Sequence, residues 1–160
     1  MAANRHPAND AWEALLSAHA ALRKEFAAED IWGDLSMREY DVLYTLSKCP
    51  EPVRIGGLNR HVLLSQPALS RLVDRLAERG LLERKPDPAD GRAIRLALTD
   101  AGRVLQRQVG LQHGSSVARG LAARLTPGEL QQLETICLKL AREPALAGLP
   151  ANDTNGTTHP

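Results

Sequence analysis

Large side chains recur at steps of three and four along the first part of the chain, where Trp12, Leu15, Leu16, His19, Leu22 and Phe26 share one stripe. That spacing predicts an amphipathic helix from Asn9 to about Ala28. Ser36 starts a second helix, because Glu39 three residues on completes a capping box that satisfies free amides at a helix start. Pro50 and Pro52 end it. A short third helix, about Ile55 to Leu63, begins weakly, since Gly56 and Gly57 each cost about 1 kcal/mol relative to alanine.

Leu64-Ser65 is then a turn, with Ser65 as the N-cap of a fourth helix whose first turn tolerates Pro67. This helix is expected to run to Arg79 and to stop at Gly80. Leu69, Leu72, Val73 and Leu76 form its buried stripe. At about 100° per residue, Pro67, Ser70, Arg71, Asp74 and Glu78 point away from that stripe, flanked by Gln66 and Arg75. Two short helices joined by a tight turn, the second with a polar outer face, describe a helix-turn-helix.

A hairpin follows. Leu81–Lys85 is one strand and Arg92–Leu98 the other, with Ile94, Leu96 and Leu98 alternating to one face. PDPADG is the loop, in which Asp87 and Asp90 are expected to bond nearby backbone amides and so shape the turn. Thr99 caps a long fifth helix to about Ala123, with Gly110, Gly114 and Gly120 marking a bend or a close helix contact. Thr126, Pro127 and Glu129 open a sixth helix with a second capping box, and its stripe is Leu130, Leu133, Ile136, Cys137 and Leu140. From Pro144 onward the chain is too polar and too rich in proline and glycine to order itself.

The expected fold is therefore mainly α with a small β-hairpin wing (α+β): a winged helix-turn-helix. Residues 1–8 form a flexible arm, 9–35 the first helix and linker, and 36–98 the winged unit. Residues 99–143 carry the last two helices, and 144–160 a disordered tail.

Composition adds bounds. The chain has 160 residues, 43% hydrophobic and 24% charged, enough for one packed domain. Its five aromatic residues, Trp12, Phe26, Trp32, Tyr40 and Tyr44, all precede position 45, so a ring-lined pocket must be built from that end. The net charge of +1 hides an acidic front, −3 over residues 1–59, and a basic middle, +3 over residues 60–103. That asymmetry suits a polyanion partner and is equally the mark of an ordinary solvated face. Cys49 and Cys137 are far apart, and the polar N-terminus shows no leader. A cytoplasmic chain with reduced thiols is expected.

No phosphate loop, HExxH, GxSxG or Cys-His-Asp constellation occurs, so no enzyme, catalytic residue, metal or cofactor is expected. His6, His19, His61, His113 and His159 are scattered. His19, on the apolar stripe, reads as a packed histidine rather than a ligand.

Three stretches together carry a family likeness: MREYDVLYTL at 37–46, LLSQPALSRLVDRLAERGLLERKPDPADGRAIRLALTDAG at 63–102, and LTPGELQQLETI at 125–136. Over residues 9–142 the chain resembles the MarR (multiple antibiotic resistance regulator) family of transcription factors. The recognition helix followed by ERKPDPADGR and LT is its most specific part. The resemblance implies a cytoplasmic, bacterial homodimer in which N- and C-terminal helices intertwine, placing two recognition helices one DNA turn apart on a palindromic operator. It also places Arg92 at the position of the family's wing-tip arginine, which enters the minor groove. A narrow minor groove concentrates negative potential, and an arginine on a stiff loop enters it at little ordering cost. The bland reading is that Arg92 merely pairs with Asp90 in solvent.

Gln66 and Arg71 have donors for base edges, and Ser65, Pro67, Ser70 and Arg75 complete the recognition-helix set. Arg84, Lys85, Asp90, Arg92 and Arg95 form the wing set, with Arg84 and Lys85 on the DNA backbone. Asp74 faces outward and should pair with Arg71 or Arg75. The first, fifth and sixth helices present stripes with no partner in the winged unit, consistent with a dimer.

The resemblance further implies a repressor of its own or neighbouring genes, released by a small, often aromatic and anionic effector held between dimer helices and winged unit. Trp12, His19, Tyr40 and Tyr44 are candidates to line that cavity and equally candidates for core. Two alternatives stay open. One is a repressor triggered by oxidation of Cys49, which follows Lys48 near a helix end. The other is a winged protein-interaction module that does not bind DNA, which need not keep Arg84, Lys85, Arg92 and Arg95.

Overall fold

In the computed structural model, residues 6–59, 62 and 64–141 are described. The chain divides into two compact units between Gly120 and Leu121. In the first unit, α1 (Pro7–Ala27) starts at His6, whose Nδ1 accepts the Ala8 amide at 3.3 Å. Its C-terminal end is tied to the linker, where the buried Trp32 donates its indole N–H to the Phe26 carbonyl at 2.9 Å.

The winged unit begins with α2 (Met37–Ser47), opened by the expected capping box. Ser36 accepts the Glu39 amide at 3.2 Å, and the Glu39 carboxylate accepts the Ser36 amide at 2.8 Å. A short strand, β1 (Val53–Arg54), and a short helix, α3 (Ile55–Asn59), come next. The expected extension of this helix to Leu63 runs through residues 60, 61 and 63, which lie outside the described residues.

The second helix of the pair, α4 (Gln66–Glu78), has Pro67 in its first turn and Ser65 as N-cap. Gly80, at φ +70°, supplies the left-handed step that ends it. Its stripe of Leu69, Leu72, Val73 and Leu76 is buried against α2 residues Val42, Leu43 and Leu46. Removing each such leucine from water contributes about 1.5–3 kcal/mol.

β2 (Leu82–Asp87) and β3 (Asp90–Leu98) form the hairpin, and β3 is also paired with β1, giving the sheet order β1-β3-β2. Leu82, Leu96 and Leu98 close the core beneath α4. The strand β1 was not expected, because two residues between Pro52 and Gly56 carry no alternation. The turn is also tighter than the expected six-residue loop, since Asp87 and Asp90 already belong to the strands. Ile94 departs from the inward alternation and is 52% exposed.

Thr99 joins the hairpin to α5 (Asp100–Ala122). Its hydroxyl donates to the Gly80 carbonyl at 2.6 Å and accepts the Gly102 amide at 3.0 Å. Gly102 rests on the backbone of Leu81, where a Cβ would collide with the Leu81 carbonyl. Farther along, a Cβ at Gly110 would lie 3.0 Å from the Tyr40 hydroxyl, so this glycine marks the expected close contact. Gly114 faces open space, and the helix runs through all three expected glycine positions without a break.

The second unit holds α6 (Pro127–Ala141). Its capping box forms as expected, the Glu129 carboxylate accepting the Thr126 amide at 2.8 Å. The helix buries no residue, and Leu133, Ile136 and Leu140 are exposed. On α1 the stripe is bare in the same way. Trp12 is 59% exposed, Leu15, Leu16 and His19 are exposed, and Phe26 alone is buried. His19 is thus not a packed histidine, because nothing among the described residues covers that stretch of α1. The expected tail from Pro144 onward lies outside the described residues. Among the described residues, no helix is long and apolar enough to cross a membrane.

Candidate nucleic-acid interface

The polar side of α4 is open to solvent. Gln66, Pro67, Arg71, Asp74 and Arg75 are exposed and Ser70 is half-buried. Ser65 is exposed as well, and its side chain makes no capping hydrogen bond. Arg71 makes no ion pair among the described residues. Arg75 is drawn instead toward α2, 3.8 Å from the Glu39 carboxylate, which Arg79 approaches to 3.7 Å.

Asp74 does not pair with Arg71 or Arg75 as expected. Its carboxylate bonds Arg84 of β2, joining α4 to the wing. The reason is geometric: β2 packs on α4, so Arg84 meets Asp74 across the helix–strand gap while Glu39 holds Arg75 aside. Lys85 leans on Glu83 of its own strand at 2.8 Å, and both are exposed.

The register of the hairpin explains the position of Arg92. From Leu82↔Leu98 to Pro86↔Ile94 the two strands pair residue for residue, and the next pair is Asp87↔Asp90. Gly91, Arg92 and Ala93 therefore have no partner on β2, forming a bulge that bends the wing and re-aims its side chains. Arg92 is exposed at the centre of this bulge, and its amide bonds the Asp90 carboxylate at 3.1 Å. Its guanidinium forms no ion pair among the described residues, contrary to the bland expectation of an Arg92–Asp90 pair. Both aspartates do shape the turn as expected, since Asp87 accepts the Ala89 amide at 2.9 Å.

Arg95 has a different setting. It bonds the buried Asp87 at 2.9 and 3.3 Å, and Arg54 bonds the same carboxylate at 2.6 Å. The hydrogen bonds from Arg95, then Arg54, then the Ala89 amide hold the Asp87 carboxyl well below the usual carboxylate range. Arg54 was not singled out in the sequence, because its strand β1 has no pattern of its own.

Ser70 and Asp74 of α4 and Arg84, Arg92 and Ile94 of the wing line one groove of about 320 Å³. Of the expected residues, the groove brings together Ser70 of α4 and Arg84 and Arg92 of the wing, while Gln66, Arg71, Arg75, Lys85 and Arg95 do not line it. Donors for base edges and guanidinium groups for phosphate or minor groove are both present.

The residues expected to line an effector cavity do not converge. Tyr40 is buried and stacks on Tyr44 with ring centroids 5.8 Å apart, whereas Trp12 and His19 lie on the exposed length of α1. A cleft of about 520 Å³ opens beside Tyr44, lined by Arg23, Asp41, Tyr44, Thr45, Lys48, Cys49 and Val62. Arg23 bonds Asp41 at 3.2 Å, and the Lys48 ammonium lies 4.0 Å from the Tyr44 ring centre. The Cys49 thiol donates to the Thr45 carbonyl at 3.4 Å.

His113 of α5 was read in the sequence only as one of five scattered histidines, since α5 has no clear stripe to place it. It packs against Phe26, Trp32 and Tyr40 with centroids 5.7, 5.0 and 5.5 Å away. Its Nδ1 has no hydrogen-bond partner among the described residues, and burial pushes its pKa down against the pull of Asp41 and Glu29. Among the described residues, no group of His, Cys, Asp and Glu is placed to hold a metal.

Comparison with known proteins places this geometry. Residues 33–93 match a family model described as the MarR family. The chain is 29% identical over 107 residues to the multiple antibiotic resistance protein MarR of Salmonella typhimurium, covering 67% of this chain and 74% of that one. The PcaV transcriptional regulator from Streptomyces coelicolor, solved with its natural ligand, shares the fold at a TM-score of 0.62. It is 28% identical, over 88% of this chain and 97% of that one. A mutant MarR from Escherichia coli, solved with operator DNA, superposes at a TM-score of 0.69 and 24% identity, over 81% and 93% of the two chains. In this fold, and in the match over residues 33–93, the chain is similar to the MarR family of transcriptional regulators.

Proposed function

We propose that the chain acts as a homodimeric, sequence-specific DNA-binding repressor of its own or neighbouring genes. The observation that carries this reading is the groove shared by α4 and the wing, where Ser70 and Arg92 stand together and Arg92 has no ion pair among the described residues. With α4 in the major groove, Gln66 and Arg71 read base edges, while Arg92 enters the adjoining minor groove. Arg84 and Lys85 supply phosphate contacts, and their loss weakens all duplexes alike. The solved E. coli relative complexed with operator DNA supports this use of the fold.

Two-fold pairing is supported by the bare stripes of α1 and α6, whose exposed Trp12, Leu16, Ile136 and Leu140 another copy would cover. A dimer places two recognition helices about one helical turn, roughly 34–36 Å, apart on a palindrome.

The test is footprinting of the purified full-length protein on the region upstream of its own gene. A protected palindrome that shrinks to background with Arg92→Ala supports the reading. Failure to protect or to select any duplex removes it, in favour of a winged module that binds protein.

Release by a small effector is the second part of the proposal. The cleft beside Tyr44 offers Arg23 and Lys48 for a carboxylate and an aromatic ring for a planar ligand. A planar aromatic acid such as benzoate is expected to lower operator affinity and to quench tryptophan fluorescence. Cys49→Ser should keep that response. If peroxide releases the wild type while Cys49→Ser stays bound, thiol oxidation is the trigger.

A further inference from the structure

Asp87 is the one carboxylate of the wing with a fully buried side chain among the described ion pairs, and it is bound from three directions. Ala89 reaches it from the turn, Arg95 from β3 with two nitrogens, and Arg54 from β1. Arg54 and Arg95 are directly opposite one another in the β1–β3 ladder. Like charges in that relation push their strands apart, so the pair depends on the carboxylate between them. Asp87 is also the residue at which the hairpin register breaks, immediately before the three-residue bulge that carries Arg92.

We infer that Asp87 is a positioning residue for DNA recognition: by holding Ala89, Arg54 and Arg95 together, it fixes the bulge and sets the angle at which Arg92 leaves the wing. The inference rests on the reading of Arg92 as a minor-groove contact. A guanidinium on a fixed support loses less freedom on binding than one on a mobile hairpin, so the clamp acts through Arg92 without touching DNA. Its two arginine partners also keep Asp87 ionised, and the clamp charged, throughout the neutral range.

The experiment uses the full-length chain and a duplex it selects from a randomised pool. The base pairs beneath the wing are set to A·T, G·C or I·C. Guanine adds an amino group to the minor groove, whereas inosine leaves that edge as in an A·T pair. Wild-type protein should prefer A·T and I·C flanks over G·C. Arg92→Ala should lose that preference together with about tenfold in affinity. Asp87→Asn should lose the same preference with its overall fold intact by circular dichroism. The double variant should bind no more weakly than Arg92→Ala alone, because both changes remove one contact.

A general loss of structure would lower affinity on all flanks by one factor and leave the preference unchanged. That result, or effects that multiply in the double variant, overturns the inference. If Asp87→Asn does not fold, Arg54→Ala removes the half-exposed arm of the clamp and is judged by the same preference. A wild-type protein that selects no duplex overturns the DNA-binding reading and this one with it. A preference retained by folded Asp87→Asn overturns the clamp alone.

Discussion

Arg92 differs from its neighbours in what it leaves undone. Arg54, Arg75, Arg79, Arg84 and Arg95 each face a carboxylate, whereas the Arg92 guanidinium pairs with none among the described residues. Truncating it breaks no internal ion pair. Arg92→Ala is therefore expected to weaken operator binding by about 1–3 kcal/mol while the melting temperature stays put. Arg95→Ala should do the reverse in part, lowering the melting temperature because buried Asp87 keeps only Arg54 as a charged partner. Differential scanning calorimetry beside gel-shift titration separates the two. Gly102 makes a third case. A methyl group there meets the Leu81 carbonyl, so Gly102→Ala should cost about 1–3 kcal/mol of stability, read as a lowered denaturation midpoint. The exposed place of Arg92 beside a tight turn was legible in the sequence, because proline, aspartate and glycine around it announce such a turn. The partners of Asp74 and Arg95 were not, since a pairing across a helix–strand gap or a three-stranded ladder leaves no trace in local spacing.

At the scale of elements, capping boxes and apolar stripes were sound guides. Ser36–Glu39 and Thr126–Glu129 open α2 and α6 as their spacing requires, and the α4 stripe is buried at every expected position. The two-residue β1 and the bulge at Gly91–Ala93 escaped notice for one reason: both are set by partners distant in sequence. The docking of α5 on α2 was equally hidden, because it depends on His113 entering a nest of Phe26, Trp32 and Tyr40. That contact has a pH signature. Burial lowers the folded-state pKa of His113 below its ordinary value of about 6.5, so the unfolded chain binds the proton more readily. Stability should accordingly fall as the pH drops from neutrality through the ordinary histidine value and on to the lowered folded value. The loss is complete below that lowered value. His113→Gln should flatten this part of the curve in urea titrations run between pH 7.5 and pH 5, values bracketing the ordinary histidine range of about 6.5. An unchanged slope would assign the acid sensitivity to another group.

For the whole molecule, the bare stripes decide the expected assembly. Deleting residues 126–160 removes α6 with Leu133, Ile136 and Leu140 and should give a monomer or an aggregate by sedimentation. Deleting only residues 144–160 should change neither the oligomeric state nor DNA affinity, because their composition offers no apolar face. A monomeric full-length protein would contradict the proposed two-fold arrangement. The junction at Thr99 bears on how such an assembly could be switched. Its hydroxyl bridges Gly80 to Gly102, and Gly102 lies hard against Leu81, so the start of α5 is riveted to the end of α4 and the root of the wing. With 23 residues, α5 is a rod of roughly 34 Å. A rod so joined works as a crank: a tilt of about 5° swings its end by roughly 3 Å over that length. A displacement of that size is comparable with one base-pair step of about 3.4 Å, enough to put the two winged units of the proposed dimer out of phase with the double helix. In the proposed dimer, an effector held away from the DNA would not need to deform α4 at all; it would have only to turn the crank.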